Sequence, residues 1–249
     1  MSGRLDGIRV IVTGGASGIG EATAIACADA GASVVILDLN PDVQDSRVHP
    51  IAADVGDRAS VTSAVGQAAE HLGGIDVVVN NAGISAIGTV EENDDAEWAR
   101  VLNINVTGMA RVCAAALPYL RQSEHAAIVN VCSIAALNGL PQRALYSASK
   151  GAVMSLTYAM ATDHVAEGIR VNCVSPGTVA TQFVDRMLQN FPDPAAERAA
   201  LDARQATGRM VTPQEVAAAI IFLADPTSAS ITGTALHVDG GVTTLRVRR

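Results

Sequence analysis

Lysine is almost absent from this chain. Of the 17 lysine and arginine residues, a single one, Lys150, is a lysine. Arginine has GC-rich codons, so base composition accounts for the arginine excess, but it does not explain why one lysine remains at position 150.

Aromatic side chains and net positive charge are also lacking. Aromatics make up 3% of the 249 residues, and the formal net charge is −8. A phosphate backbone repels a protein of this charge, and base-stacking platforms need aromatic rings. The composition therefore argues against nucleic acid as a partner. With 49% hydrophobic and 17% charged residues, the chain is expected to fold around a substantial core.

Cysteine is scarce, and long hydrophobic runs are missing. The four cysteines are Cys27, Cys113, Cys132 and Cys173. None forms a CxxC pair and each lies in an apolar run, which predicts buried reduced thiols and no metal centre. The longest apolar run, Val216–Ala224, is too short to cross a bilayer, and Met1–Asp6 has no apolar signal segment. We therefore expect a cytoplasmic protein without a membrane partner.

Short runs rich in valine and isoleucine alternate with helix-like segments along the whole chain. The predicted strands are Arg9–Thr13, Ser33–Leu37, Val48–Ala52, Asp76–Asn80, Ala126–Val131, Arg170–Val174 and Thr234–Val238. Helices are predicted over Gly18–Ala30, over Asp57–Leu72 and after Thr212, where a capping box precedes an apolar run. Continuous rather than alternating apolar strands suit burial on both faces. This alternation predicts an α/β fold with a parallel sheet.

One stretch interrupts that alternation. Residues 182–210 contain two prolines, four arginines and several acids directly after a predicted strand end. We interpret it as a substrate lid within a single domain that spans residues 1–249, and not as a second domain.

The first predicted strand runs into a glycine-rich loop. Gly14, Gly18 and Gly20 follow Thr13 and precede a predicted helix. Glycine allows a sharp turn and a close approach of the backbone to phosphate, while the helix N-terminus offers free N–H groups. A strand before and a helix after the loop is the arrangement that predicts dinucleotide binding.

Asp38 ends the second predicted strand. An acid there can accept both ribose hydroxyls of an adenosine, and its charge repels a 2′-phosphate. Neither the glycine loop nor Leu39–Asn40 supplies a basic residue. The pattern favours NAD over NADP; the alternative is a solvated turn acid.

Polar residues also follow the third and fourth predicted strands. They are Asp54 with Val55, and Asn80–Asn81 with Ala82 and Gly83. Ligands bind at the carboxyl ends of strands in open α/β sheets. The alternative for these residues is a turn stabilised by bonds between side chain and nearby backbone.

Tyr146 and Lys150 form the most specific signal. They stand four residues apart at the start of a predicted helix, so they share one face, and Ser133 ends the preceding strand. A nearby ammonium favours the phenolate of a tyrosine, which could then act as a base. The alternative is a surface pair, which the retention of the chain's single lysine disfavours.

Together these motifs resemble the short-chain dehydrogenase/reductase family over essentially the whole chain. Further matches are Asn105-Val-Thr-Gly108, Ser133 thirteen residues before Tyr146 (146 − 133), the segment from Arg170 to Gly177 with Thr181, the Thr212 motif and Val238-Asp-Gly-Gly241. Cys132 departs from the serine that often precedes the catalytic one. The tail, Thr243–Arg249, is longer and more basic than usual; we interpret Arg246, Arg248 and Arg249 as a solvated end, with an assembly role left open.

The resemblance implies a doubly wound Rossmann fold, with seven parallel strands and helices on both faces, and usually a homotetramer. It implies reversible hydride transfer between NAD(H) and a secondary alcohol or ketone. Tyr146 would be the acid/base, Lys150 would support it and bind the nicotinamide ribose, Ser133 would orient the substrate oxygen and Asn105 would hold a water linking Lys150 to solvent. The implied cofactor-binding residues are Gly14, Ser17, Gly18, Ile19, Gly20, Asp38, Leu39, Asp54, Val55, Asn81, Ala82, Gly83, Tyr146, Lys150, Pro176, Gly177, Val179 and Thr181.

The substrate is less well defined. Residues expected to face it are Ser85, Ile87, Asn138, Gln142, Arg143, Gly177, Phe183 and Met187. This mixture favours a small polar alcohol over a steroid, and Arg143 is either a carboxylate partner or a surface residue. Alternative functions are an NADP-dependent 3-oxoacyl-thioester reductase, a sugar-nucleotide epimerase or dehydratase, which the short chain disfavours, and a non-catalytic NAD(H)-binding scaffold or sensor, which the retained Ser, Tyr, Lys and Asn disfavour.

Overall fold

The strands and helices follow the predicted alternation closely. The computed structural model describes residues 4–189 and 191–247. The strands are β1 (Arg9–Thr13), β2 (Ser33–Asp38), β3 (Val48–Ala52), β4 (Val77–Asn80), β5 (Ala127–Val131), β6 (Arg170–Pro176) and β7 (Ala235–Val238). The helices are α1 (Gly18–Asp29), α2 (Arg58–Leu72), α3 (Asp95–Leu102), α4 (Met109–Leu120), α5 (Ala144–His164), α6 (Gln182–Leu188), α7 (Pro194–Arg204) and α8 (Pro213–Ala224). Predicted boundaries differ from these by one or two residues.

All seven strands belong to one parallel sheet in the order β3-β2-β1-β4-β5-β6-β7. The order reverses at β1, whose Val12 pairs with Ile36 of β2 on one side and with Val79 of β4 on the other. The carboxyl ends of β1 and β4 therefore diverge into separate connections and leave a crevice between them. In open α/β sheets this crevice is where ligands bind.

Helices cover both faces of the sheet, as the resemblance implied. On one face Ile11, Val35 and Val78 pack against buried residues of α2, α4 and α5. On the other face Val12 and Ile36 pack against α1 and α8. Successive residues of a strand point to opposite faces, so a strand buried on both sides needs apolar residues at every position. This requirement explains the continuous Val and Ile runs.

The segment predicted as an irregular lid contains two helices. The chain leaves the sheet after Thr178 and returns at Val211, where Val211 N donates to Thr178 O at 2.9 Å and Ala180 N donates to Val211 O at 2.8 Å. Between these points α6 and α7 pack around a small apolar cluster that includes Val184 and Leu201. The prolines end or begin helices here, since Pro194 occupies the first turn of α7 after an Asp193 cap.

One continuous helical stretch is long and apolar enough to be considered as a membrane span. Asp95–Leu120 passes a length-and-composition test for a membrane span, with a mean hydropathy of 1.2. Its apolar side chains, among them Val112, Ala116 and Leu120, lie in the core beneath the sheet. A core helix of a folded domain satisfies the same test, so this stretch is weak evidence for a membrane.

Candidate active site

The glycine-rich loop joins β1 to α1 at the crevice. Gly14 and Gly18 have φ of +62° and +58°, in the left-handed region that other residues rarely adopt. A Cβ at Gly20 would overlap the carbonyl oxygen of Gly14, so the loop closes on itself only with glycine there. The side chain of Ser17, the N-cap of α1, makes no capping bond. The first N–H groups of α1, around Ile19, are thus available to an anion.

The loop is held by the end of β4. Asn81 Nδ2 donates to the carbonyl oxygens of Thr13 at 3.0 Å and Gly14 at 2.8 Å. The hydroxyl of Thr13 in turn accepts from the backbone N–H groups of Asn81 and Ala82, each at 3.0 Å. The Asn81 side chain is therefore occupied in positioning the loop. A Cβ on Gly83, two residues further on, would lie 3.2 Å from Asn105 Oδ1. Sequence reasoning did not single out Thr13, although its place before the first glycine was visible.

Asp38 stands at the end of β2 beside the same loop. Its carboxylate accepts from Ala16 N at 3.1 Å and from Asn40 N at 3.2 Å. In the described residues Asp38 forms no ion pair, and the neighbouring Leu39 is 67% exposed. A carboxylate fixed by backbone donors, with an exposed apolar side chain next to it, fits an adenosine whose ribose hydroxyls donate to the acid.

Asp54 and Val55 follow β3 on the far side of Asp38. Asp54 Oδ1 accepts from Gly56 N at 2.7 Å, which makes a tight turn of the kind offered as the alternative. Its carboxylate is nevertheless exposed at the strand end. Val55 lies against the helix that follows β4, because its carbonyl oxygen accepts from Arg111 Nη1 at 3.2 Å. Both residues border the crevice.

Ser133, Tyr146 and Lys150 meet at the end of β5. Lys150 is 6% exposed, and its Nζ donates to the carbonyl oxygen of Val131, the last residue of β5, at 2.9 Å. The same Nζ lies 5.8 Å from the centre of the Tyr146 ring. Ser133, two residues beyond Val131, accepts from Ala135 N at 3.1 Å and keeps its hydroxyl proton for another acceptor. The strand end thus fixes a hydroxyl, a phenol and an ammonium around one space.

Cys132 is buried next to Ser133 and contacts the backbone of Lys150. Its thiol donates to the carbonyl oxygen of Lys150 at 3.3 Å. A hydrogen bond from Cys173 lowers the pKa of Cys132 to about 7 against the effect of burial, and the charge of Lys150 acts in the same direction. The lysine charge therefore acts on the neighbouring Cys132 thiol.

Asn105 lies in a π-helical segment, Asn103–Gly108, inserted between α3 and α4. It is 1% exposed. Its Oδ1 accepts from Ile84 N at 2.8 Å, and its Nδ2 donates to Ile84 O at 2.9 Å and to Ser149 Oγ at 3.1 Å. Ser149 Oγ donates to the carbonyl oxygen of Tyr146 at 2.8 Å. These bonds use both N–H groups of the Asn105 side chain and one of the two lone pairs of its Oδ1. Ser149 was not predicted as part of the site.

The end of β6 closes the opposite wall of the crevice. Pro176 is buried, and Gly177 N donates to Val238 O at 3.0 Å. A Cβ on Gly177 would collide with the side chain of Gln205. Val179 is buried below the lid, and Thr181 caps α6. A Cβ on Gly18 would lie 3.5 Å from Thr181 Cγ2, so Thr181 and the glycine loop flank the same narrow space.

The predicted substrate residues divide into a polar group and an apolar group, and the polar group comes first. Ser85 and Arg143 lie on the two loops that a bridge between Gly88 and Arg143 joins, and Gln142 has the left-handed φ of 54°. Asn138 Nδ2 donates to Thr243 Oγ1 at 3.1 Å, which ties the start of the C-terminal tail to this wall. Sequence reasoning missed Thr243 as a partner, because 105 residues separate the two side chains.

The other predicted substrate residues are apolar. Phe183 and Ile87 are 53% and 57% exposed, and Met187 packs on the lid cluster. An exposed phenylalanine on the first lid helix is available to cover a ligand. Of the three tail arginines predicted to form a solvated end, Arg246 is exposed, while Arg248 and Arg249 lie outside the described residues.

The residues fit a nicotinamide dinucleotide. The glycine loop leaves free N–H groups and a narrow space facing Thr181, and Asp38 presents a fixed carboxylate at the far end of the same crevice. The side chains of Ser133, Tyr146 and Lys150 lie on the other side of the crevice, near the end of β5, which pairs with β4. An extended ligand can therefore reach from Asp38 across the loop to Tyr146.

Comparison with known proteins gives a consistent result. A family model described as enoyl-(acyl carrier protein) reductase matches residues 14–243. The chain is 37% identical to 2-(S)-hydroxypropyl-CoM dehydrogenase 3 of Xanthobacter autotrophicus, over 98% of this chain and 100% of that protein. It is 41% identical to cis-4-hydroxycyclohexanecarboxylate dehydrogenase of Sinomonas cyclohexanicum, over 94% and 95%. The ligand-free aldohexose dehydrogenase of Thermoplasma acidophilum superposes with a TM-score of 0.93 at 32% identity, with 100% of both chains covered.

Proposed function

We propose that this chain, which belongs to the short-chain dehydrogenase/reductase family, transfers a hydride reversibly between NAD(H) and a small secondary alcohol or ketone. Its relatives make it an oxidoreductase that acts on CH–OH groups. The observation that carries the proposal is the placement of Tyr146 and the buried Lys150 against the end of β5, next to Ser133.

The side chains divide the chemistry of alcohol oxidation among them. NAD, when bound, supplies the acceptor for the hydride. The phenol oxygen of Tyr146 takes the hydroxyl proton of the substrate, and returns it in the direction of reduction. Ser133 Oγ donates a hydrogen bond to the same substrate oxygen and holds it in place. Lys150 provides positive charge next to the tyrosine, and its remaining N–H groups would bind the nicotinamide ribose.

Asn105 supports this arrangement through the hydrogen bonds of its side chain. Its side chain links the loop at Ile84 to Ser149 and through it to the first turn of α5. We propose that its backbone carbonyl, in the π-helical segment, holds a water that connects Lys150 with solvent. The other residues assigned to the cofactor from the sequence keep that assignment here, and residues 1–249 form one cofactor-binding domain with residues 182–210 as the substrate lid.

The choice of NAD over NADP rests on Asp38. Its carboxylate is fixed by two backbone N–H groups and has no basic side chain beside it in the described residues. A 2′-phosphate would meet an uncompensated negative charge. We expect NAD to bind at least about tenfold more tightly than NADP, which corresponds to about 1.4 kcal/mol.

Cofactor fluorescence titration tests this choice. Asp38→Ser should narrow the difference between the two cofactors, whereas Asp42→Ser, at an exposed acid in the loop after β2, should leave it unchanged. Equal affinity of the unmodified protein for NAD and NADP would contradict the proposal and favour the second candidate function, an NADP-dependent reductase of 3-oxoacyl thioesters. The observation that keeps this candidate is the 34% identity to a 3-oxoacyl-[acyl-carrier-protein] reductase of Thermotoga maritima, over 96% of this chain and 99% of that protein.

Activity is tested with a panel of alcohols. Two of the relatives named above are a hydroxypropyl-CoM dehydrogenase and a hydroxycyclohexanecarboxylate dehydrogenase, so the panel should contain small polyols, hydroxy acids, hydroxy thioethers and hydroxyacyl thioesters. We expect NAD reduction with at least one small polar alcohol. No turnover across the panel, combined with intact NAD binding, would favour a scaffold or sensor.

We propose that the protein assembles as a homotetramer in the cytoplasm. β7 stands at the sheet edge with all four residues only half-buried, and α8 beside it exposes Phe222. Apolar surface at an edge strand and its neighbouring helix supports a two-fold contact with a second copy. The four buried cysteines are free thiols, as is usual in a reducing compartment. Light scattering at micromolar concentration should give about four chain masses; a monomer would contradict the assembly.

A further inference from the structure

An arginine that pairs with none of the described acids lies three residues before the catalytic tyrosine. Arg143 is the N-cap of α5, three residues before Tyr146. Gln142 before it has the left-handed φ of 54°, which is strained for a residue with a side chain. The carbonyl oxygen of Gln142 accepts from Gly88 N at 3.0 Å, and Ala144 N donates to Gly88 O at 3.3 Å. The loop after β4 thus fixes the direction in which Arg143 leaves the helix.

The guanidinium of Arg143 contacts the backbone of the apolar cluster against which the Tyr146 ring packs. Arg143 Nη1 donates to the carbonyl oxygen of Ala86 at 3.1 Å. Ala86 belongs to the buried cluster that also contains Leu145 and contacts Tyr146. A guanidinium has five N–H donors in a planar fork. One is directed to Ala86, so the others are available to a ligand at the tyrosine.

None of the described carboxylates forms an ion pair with this arginine. Burial lowers the pKa of Arg143, the Tyr146 hydroxyl opposes that effect, and the positive charge of Arg204 lowers the pKa again. Arg204 is the last residue of the lid helix α7. In the described part of the chain neither arginine pairs with a carboxylate, although six other arginines do.

A partly desolvated guanidinium without an ion-pair partner is unfavourable in the free protein. The net charge of −8 means that acids are abundant elsewhere, yet none of the described acids forms an ion pair with Arg143. A bound anion would supply the charge partner that Arg143 lacks among these residues.

We infer that Arg143 is a specificity-determining residue that binds the carboxylate of the substrate, so that the preferred substrates are hydroxycarboxylic acids and the corresponding oxo acids. This inference rests on the proposed dehydrogenase activity. The planar fork of arginine matches a carboxylate. Side chains three residues apart at a helix start have Cβ atoms about 5–6 Å apart. The carboxylate and the hydroxyl are therefore expected to be separated by several carbons.

A matched pair of substrates tests the assignment. The ratio of kcat/KM for 4-hydroxypentanoate to that for the neutral 4-hydroxypentanamide is measured with NAD, and binding of pentanoate and pentanamide to the enzyme–NAD complex is measured by calorimetry. We expect the unmodified enzyme to prefer the carboxylate of each pair. Arg143→Gln should reduce kcat/KM for the acid by about 10- to 100-fold, with less than about a threefold change for the amide.

The controls separate this inference from the proposed function. Arg100→Gln, at an exposed arginine of α3 without an ion pair in the described residues, should leave the ratio unchanged. If Arg143→Gln does not fold, as judged by circular dichroism, Arg143→Lys replaces it and should lose affinity for pentanoate in the same direction. Equal loss for acid and amide, or no preference in the unmodified enzyme, overturns the assignment while the dehydrogenase activity stands. Tight, Arg143-dependent binding of pentanoate without turnover of any alcohol would support the anion site and contradict the activity.

Discussion

At the scale of single residues, Tyr146 tests the chemistry most directly. Its ring packs against the cluster around Ala86 and Leu145, and its hydroxyl is the only part that the proposed proton transfer needs. Tyr146→Phe keeps that packing. We expect turnover to fall by at least about 100-fold, the lower range for a lost general acid or base, with NAD affinity preserved. Near-normal turnover in steady-state assays would exclude Tyr146 from the mechanism.

Lys150 requires a different substitution. Its Nζ reaches the carbonyl oxygen of Val131 from a position that is 6% exposed, where a compact ammonium fits. Arginine keeps the charge but is longer and planar. We expect Lys150→Arg to weaken both NAD binding and turnover by at least tenfold, which would explain why an arginine-rich chain keeps one lysine. Arg100→Lys is the reverse control and should change neither. Full activity of Lys150→Arg would show that charge alone suffices.

At the scale of the elements, we expect cofactor binding to depend on the turn between β1 and α1. A Cβ at Gly20 would overlap the carbonyl oxygen of Gly14, and the side chain of Asn81 lies close on the other side. Gly20→Ala therefore forces the loop away from the end of β4. We expect NAD affinity to fall at least tenfold, with a lower melting temperature.

A second glycine provides the matched control for this loop. Gly66 lies within α2, and a Cβ there would meet no atom within 4 Å. Alanine is the better helix former, so Gly66→Ala should stabilise the protein by about 0.5–1 kcal/mol without changing NAD affinity. Fluorescence titration and thermal unfolding measure both variants. A normal cofactor affinity in Gly20→Ala would show that the loop adapts and that its close packing is not required.

At the scale of the whole molecule, acid stability depends on a pair at the sheet's amino-terminal edge. Arg9 donates from Nε and Nη2 to Asp76 at 2.7 and 2.6 Å, and Ser123 Oγ donates to the same carboxylate at 2.6 Å. Burial raises the pKa of Asp76, but the hydrogen bonds from Arg9 and Ser123 outweigh it and lower the pKa below 3.8. The folded state thus binds fewer protons here than the unfolded chain. The stabilisation is complete above about pH 5 and is lost as the pH falls through the lowered value.

Asp76→Asn tests this link. We expect a loss of about 1–3 kcal/mol at neutral pH and a flatter decline of stability below about pH 5, measured by denaturant unfolding across pH. Asp163→Asn, at an exposed position of α5, is the control and should keep the original profile. An unchanged acid branch in Asp76→Asn would assign acid sensitivity to other carboxylates.

A stacked histidine pair acts at higher pH. The rings of His49 on β3 and His71 on α2 lie 3.8 Å apart. Burial and the charge of His71 lower the pKa of His49. A lowered folded pKa means that this contribution is present above about pH 6.5 and is lost as the pH falls. The two effects therefore occupy different parts of the pH profile.

The sequence by itself determined the elements and the kinds of residue at the site. Val and Ile runs report burial on both strand faces, the glycine loop needs specific backbone angles, and Tyr146 and Lys150 share a face through helix periodicity. These are local constraints, which a short stretch of chain carries in full. The tail pattern Val238–Gly241 and the capping box at Thr212 belong to the same class.

Only the tertiary structure decided which distant groups meet. It brings Asn138 to Thr243, joins Asn105 to Ile84 and Ser149, and sets the charge of Arg204 against Arg143. Such contacts depend on where the lid crosses the sheet and on how the strand ends are arranged around the crevice. No periodicity encodes them, because they arise from packing between segments far apart in the chain. The reaction class could therefore be read from local motifs, whereas the choice of substrate depends on side chains that folding alone brings together.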